Sequence, residues 1–192
     1  MTELVDGSFA LRARVQAVRK ALADRIDRQA ADVAVRVAAS VAHLGLVARV
    51  LSPAIGAVAL GYPPISIAAQ NLLWQDSLGG PVPLSVTFGA GEPLPGSAVE
   101  AITDAMAAQF PVSGRVLWGN VGSAANSAAR LVADARPERA APARAAVDSV
   151  LADARVDGGV LRTGPYFRRR SCCLFYRLTI DRRTVCGDCV LG

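Results

Sequence analysis

All four cysteines in this 192-residue sequence fall in one stretch: an adjacent pair, Cys172-Cys173, and a C-x-x-C pair, Cys186-Gly187-Asp188-Cys189. Any fold for this chain must return the second pair to the first across residues 174–185, since four thiols so gathered have the spacing of a metal site. Leu174, Tyr176, Leu178 and Ile180 alternate with Phe175, Arg177 and Thr179, the period of a strand, and residues 181–183 can turn it back toward Cys186. The expectation is a small C-terminal hairpin module, residues 160–192, joined to a mainly helical substrate- or partner-binding domain, residues 1–159.

Four thiols suit a tetrathiolate zinc or a [2Fe-2S] cluster, since both take four cysteine ligands and both use a C-x-x-C turn. The adjacent pair separates them. Structural zinc usually takes two well-spaced pairs, whereas neighbouring cysteines on an extended segment point to opposite faces and reach one ion only through a local bend. A two-iron cluster spreads its four ligands over two irons, so this pattern favours iron and sulfur over zinc.

At these residues the sequence resembles the C-terminal signature of the FhuF-type ferric-siderophore reductases, in which C-C, a short hairpin and C-x-x-C hold a [2Fe-2S] cluster. The flanks agree: Arg168, Arg169 and Arg170 precede the double cysteine, Phe175 and Tyr176 follow it, and Leu117-Trp118-Gly119-Asn120 with its Ala-rich continuation is similar to that family too. The loop between the pairs is slightly longer than in the family pattern, and residues 1–110 carry no such signature. The resemblance implies a cluster on Cys172, Cys173, Cys186 and Cys189, and one-electron reduction of siderophore-bound Fe(III).

Composition narrows the remaining classes. The formal net charge is +5, and Lys20 is the only lysine among 21 basic residues, an Arg- and Ala-rich bias that a GC-rich genome also produces. Such charge can steer an anionic ligand, an acidic redox partner or a membrane surface, while no DNA-reading module accompanies it. The first residues lack the charged start and apolar core of a signal peptide. Residues 41–60, the most apolar stretch, are broken by His43, Arg49 and Pro53 and fall short of the roughly 20 apolar residues of a bilayer span. The expected location is cytoplasmic, either free or peripheral at the inner face of the membrane. Four cysteines in a reducing compartment are then metal ligands or redox centres.

Periodicity predicts an α+β chain, mainly helical with a few short strands. Leu11, Val15, Val18, Leu22 and Ile26 mark an amphipathic helix over residues 9–28. Residues 30–50 read as a second helix, apolar on most sides and containing His43, the only histidine; Ser52-Pro53 then starts a short separate helix that Gly61 stops. Residues 66–75 read as another helix with Trp74 at its end, and residues 82–88 as a half-buried strand that Pro83 confines to an edge or a strand start. Gly89-Ala90-Gly91 lacks the third glycine of a dinucleotide loop and reads as a turn, so electrons come from another protein. Ser97 and Glu100 form a capping box for a helix to about Phe110. Asn120 is expected to cap the next helix, whose N-terminal N–H groups, with Trp118, could face an anionic ligand or the cluster. Pro137 and Pro142 bracket a linker, residues 143–155 form a last helix, residues 157–159 a turn, and residues 160–167 an extended approach to the cysteines.

An oxidised cluster on four thiolates is doubly negative and gains another charge on reduction. Arg168, Arg169, Arg170, Arg177, Arg182 and Arg183 could offset that charge and tune its potential, or draw in an anionic ferric siderophore. Near the end of the chain the cluster is expected to lie at modest depth, open to an electron donor such as a ferredoxin or flavoprotein. Three rivals remain: a non-enzymatic binding module whose four cysteines hold a structural zinc, thiol–disulfide exchange at the C-x-x-C, and an iron–sulfur redox sensor.

Overall fold

The computed structural model describes residues 1–6, 8–75, 83–89, 91, 93–178 and 186–190. Six α-helices carry most of them: α1 (Thr2–Asp6), α2 (Ser8–Arg25), α3 (Val35–Leu60), α4 (Ala98–Gln109), α5 (Gly114–Ala135) and α6 (Ala140–Leu151). Two short strands, β1 (Leu73–Trp74) and β2 (Leu84–Ser85), pair antiparallel in register Leu73 with Ser85 and Trp74 with Leu84. The protein is thus a mainly helical α+β fold.

The core lies where α3 crosses α5. Leu46, Val47, Val50 and Leu51 of α3 meet Leu117, Val121, Ala124 and Ala125 of α5, all buried, and α6 adds Ala143, Val147 and Leu151. α2 covers α3 with Leu11, Val15 and Leu22, as its periodicity predicts, and keeps Arg12 and Arg25 exposed. Arg19 of α2 donates to the carbonyl oxygens of Val33 (2.7 Å) and Ala31 (3.2 Å), fastening the turn that precedes α3.

α3 corrects the expected break at residue 52. It runs unbroken through Pro53, and the helix expected from residue 30 begins at Val35 after a 3₁₀ turn, Ala30–Asp32. A proline inside a helix costs about 3 kcal/mol. Leu51 and Ile55, buried on either side of it, each contribute roughly 1.5–3 kcal/mol, so packing wins. Gly61, at φ 81°, then ends the helix: its N–H donates to Val58 O (3.1 Å) and that of Tyr62 to Ala57 O (2.8 Å), a Schellman closure that favours glycine. By length and mean hydropathy (1.6) α3 could cross a membrane. Here α2, α4, α5 and α6 all pack on it.

The helix expected over residues 66–75 is also corrected, to a 3₁₀ turn, Ala69–Asn71, followed by β1. Backbone pairing takes the donors a helix would need: Ser66 N–H goes to Thr87 O (3.0 Å), Gln75 N–H to Pro83 O (3.2 Å), and Ile65 bridges Phe88. Pro83 accepts but need not donate, as an edge position allows. Of the strand expected over residues 82–88, residue 82 lies outside the described residues and β2 holds two.

Ser97 caps α4 as predicted, accepting from Glu100 N–H at 3.4 Å, while Glu100 reaches back to Gly96 N–H at 2.5 Å. The expected cap at Asn120 is wrong. α5 starts seven residues earlier, where Ser113 accepts from Val116 N–H (3.4 Å), because Leu117 and Val121 continue one buried stripe across the proposed boundary. The linker at residues 137–142 is a single 3₁₀ turn, Pro137–Arg139, and Pro142 sits in the first turn of α6, where an N–H has no intrahelical partner to lose. From residue 160 to residue 174 the chain is irregular. Thr163 N–H donates to Asp148 of α6, and Thr163 Oγ1 and Gly164 N–H donate to Asn126 of α5, which aims residues 167–173 along α5.

Candidate iron–sulfur site

The local bend that an adjacent cysteine pair requires is present. Leu174 sits at φ 67°, a left-handed conformation costing a leucine about 1–2 kcal/mol, and a 3₁₀ turn, Phe175–Leu178, follows at once. This corrects the strand expected from residue 174 to residue 178; residues 179–185, with Arg182, Arg183 and the hairpin turn, lie outside the described residues. The turn places donors against sulfur. Leu174 N–H donates to Cys172 Sγ at 3.4 Å and Phe175 N–H to the Cys173 thiol, the donors that stabilise thiolate charge.

The second pair is a tight turn, with Cys189 N–H donating to Cys186 O at 3.0 Å. α5 and the arginine run hold it. Ser123 of α5 donates to the Asp188 carboxylate, Arg168 Nη1 donates to Gly187 O (2.7 Å), and Arg169 N–H donates to Asp188 O (3.2 Å).

These supports bring the thiols together across the two motifs. Cys173 Sγ lies 3.7 Å from Cys186 Sγ, and the Cys172 thiol is near enough to Cys173 and Cys189 to feel their charge. Two thiolates on one tetrahedral metal, at bonds of about 2.3 Å, stand roughly 3.8 Å apart, so the first pair is already spaced to share an ion. Among the described residues no three His, Cys, Asp or Glu side chains converge as a single-ion site would need. Four thiols gathered in this way can supply all four ligands of a [2Fe-2S] cluster. Cys173 and Cys189 are buried while Cys172 and Cys186 are half-buried, so the site is deeper on one side than expected. The hydrogen bond from Cys186 draws the Cys173 thiol down to about 6, and sharing that proton with its neighbour, together with burial, drives Cys186 strongly up. Burial also raises Cys172.

Beneath Cys173 lies a buried polar chain. Ser40 Oγ of α3 donates to Cys173 O (2.9 Å). Asn120 Nδ2 donates to Ser40 O (3.0 Å) and Oγ (3.2 Å), and Asn120 Oδ1 accepts from Arg169 Nη2 (2.9 Å). Thr103 Oγ1 gives its proton to Val99 O (2.6 Å), so it accepts from His43 Nε2–H at 3.0 Å, leaving Nδ1 to accept from Asn120 Nδ2 at 3.4 Å. His43 is therefore a neutral, hydrogen-bonded core histidine. Burial, then the charge of Arg169, pushes it down to about 3.

That shift has a sign. Between pH 6.5 and 3 the unfolded chain binds a proton that folded His43 refuses, so stability falls with pH by roughly 1.4 kcal/mol per unit. Urea unfolding at pH 7 and pH 5 is expected to show the wild type losing about 2 kcal/mol more than a His43→Gln variant. Equal losses would contradict the buried neutral imidazole.

The other sequence-predicted residues fall in two places. Arg169 is 1 % exposed, whereas Arg168, Arg170 and Arg177 are exposed, the last lying 5.7 Å from the Tyr176 ring centroid. Trp118 is buried to 9 % exposure under Arg155, whose guanidinium stacks 4.2 Å from its ring centroid while pairing with Glu100 and Asp153. With Arg115, Asp157, Gly158 and Arg170 they line a cleft of about 340 Å³. Trp118 and Asn120 thus present no helix N-terminus to the cysteines; Asn120 acts through its side chain. The roles of Ser40, Ser123, Asp188 and Gly119 escaped the sequence reading. A Cβ on Gly119 would stand 1.9 Å from Ser171 Oγ, and the Gly119/Gly122/Ala125 spacing of small residues was the available signal for such a close approach.

Residues 169–191 match the FhuF 2Fe-2S C-terminal domain. No curated protein and no solved structure matches the chain. The match and the thiol pairing agree: this segment carries a [2Fe-2S] cluster.

Proposed function

We propose that this iron–sulfur protein is a ferric-siderophore reductase, with Cys172, Cys173, Cys186 and Cys189 as ligands. The observation that carries the reading is the match of residues 169–191 to the FhuF 2Fe-2S C-terminal domain, on a segment that gathers four thiols, two buried and two half-buried. When bound, the cluster supplies one electron to Fe(III) in the chelate; siderophore oxygens prefer hard Fe(III), so the Fe(II) formed is released.

The chain's own residues bind and position. Half-buried Cys172 and Cys186 leave one flank of the site near solvent, which suits outer-sphere exchange with large partners. Exposed Arg168, Arg170 and Arg177 give that flank positive charge, attracting an anionic ferric chelate and an acidic donor such as a ferredoxin or flavoprotein, in the cytoplasm or at the inner membrane face. Residues 160–192 serve as the electron-transfer module and residues 1–159 as the partner-binding domain; nucleic acid plays no part. Thiol–disulfide exchange is disfavoured because the 3.7 Å thiol contact, Cys173 to Cys186, runs between the motifs.

The test is anaerobic. Protein reduced with dithionite and freed of excess reductant is mixed with a ferric trihydroxamate in the presence of a ferrous chelator. Return of the oxidised visible spectrum with one Fe(II) trapped per electron is expected. A protein that stays reduced while the iron stays ferric would point instead to a redox sensor.

A further inference from the structure

We infer that Arg169 is the buried counter-cation of the [2Fe-2S] cluster, held by Asn120 of α5, and that its charge raises the cluster's reduction potential. The inference rests on the cluster and not on the identity of the substrate.

Arg169 is among the most buried side chains in the protein, so it cannot greet a substrate arriving from solvent. Burying a cation costs several kcal/mol unless an anion and good hydrogen bonds compensate it. Its hydrogen bonds are partial: Nε donates to Ser171 O (2.5 Å) and Nη2 to Asn120 Oδ1 (2.9 Å), both neutral acceptors, while Nη1 is buried with no partner among the described residues. No carboxylate among the described residues pairs with it; the Asp188 carboxylate is taken by Ser123. A second orphaned donor, Ser171 Oγ, lies beside it, again buried without a partner among the described residues. Two buried donors without a partner, and a positive charge without a paired carboxylate among the described residues, therefore sit immediately before Cys172-Cys173, and the field of Arg169 reaches the Cys173 thiol. The cluster provides what this place lacks: negative charge and sulfur acceptors.

The arginine is also fixed. Asn120 binds Arg169 with its oxygen and Ser40 with its nitrogen, and Ser40 binds Cys173 O, so guanidinium and ligand are tied to one point between α3 and α5. Reduction adds a negative charge, and a cation at fixed range stabilises the reduced form more than the oxidised one.

The experiment is an EPR-monitored redox titration of the cluster-loaded protein and three variants, with circular dichroism to confirm folding. Arg169→Gln keeps polar reach and loses charge; Asn120→Asp keeps the arginine and sets a carboxylate against it. Each is expected to disfavour reduction by at least tenfold, about 59 mV more negative. Arg169→Lys keeps the charge and is expected to move the potential by less than either. Cluster assembly in Arg169→Lys but not in Arg169→Gln would also support the inference, since it makes the charge a condition of binding. If neither Arg169 variant assembles, a negative shift in Asn120→Asp supports the inference and an unchanged potential overturns it. Folded Arg169→Gln with a wild-type potential overturns it, as does Arg169→Lys shifting as far as Arg169→Gln, which would make the arginine a geometric latch.

Discussion

Cys173→Ser is expected to abolish the cluster. Cys173 is tightly held: it is buried, stands 3.7 Å from Cys186, takes the Phe175 N–H, and has its carbonyl held by Ser40. A serine keeps the backbone contacts and removes the soft ligand, so the change tests ligation apart from folding. Partners that only orient metal ligands are worth about 10–100-fold in metal affinity, so loss of a ligand should exceed tenfold. Bound iron and visible absorbance measure it. Full iron content with unchanged absorbance in Cys173→Ser would remove Cys173 from the ligand set.

Gly119→Ala should have the second largest effect, and for a reason remote from chemistry. A Cβ at residue 119 would stand 1.9 Å from Ser171 Oγ and 3.3 Å from Ser171 Cβ, so the segment leading into the cysteines must lift off α5. Overpacking of this kind costs about 1–3 kcal/mol, partly offset by about 1 kcal/mol of helix propensity gained over glycine. The expected result is a lower melting temperature with reduced cluster occupancy, both recovered when Ser171→Gly is added. Gly56→Ala, in α3 with nothing within 4 Å of the new methyl, is the control and should stabilise. Failure of the double variant to recover either property would show that Gly119 matters for something other than the Ser171 contact.

Much of this was legible in the sequence, and the remainder was hidden for specific reasons. The cysteine spacing pointed to a cluster, and helices α2 and α4 followed from apolar spacing and the Ser97/Glu100 cap, because these are local signals. Two boundaries were missed where tertiary burial overruled a local rule: Pro53 sits inside α3 since Leu51 and Ile55 bury on both sides of it, and Asn120 lies inside α5 since Leu117 and Val121 share a buried stripe. Residues 66–75 joined a sheet rather than a helix because their backbone partners, Thr87 and Pro83, lie beyond any local window. The arginine run was legible as charge only. That Arg169 turns inward while Arg168 and Arg170 face solvent depends on Asn120, which is distant in sequence and is itself held by Ser40 only when α3 and α5 pack.

One measurement bears most directly on the account: iron, zinc and acid-labile sulfide per chain in anaerobically purified protein, beside EPR spectra before and after dithionite. Four gathered thiols beside a buried arginine that pairs with no carboxylate among the described residues predict two irons and two sulfides, no zinc, silence when oxidised and an S = 1/2 signal when reduced. One zinc per chain, or a single iron without sulfide, after attempted cluster reconstitution would contradict the cluster and every functional step drawn from it.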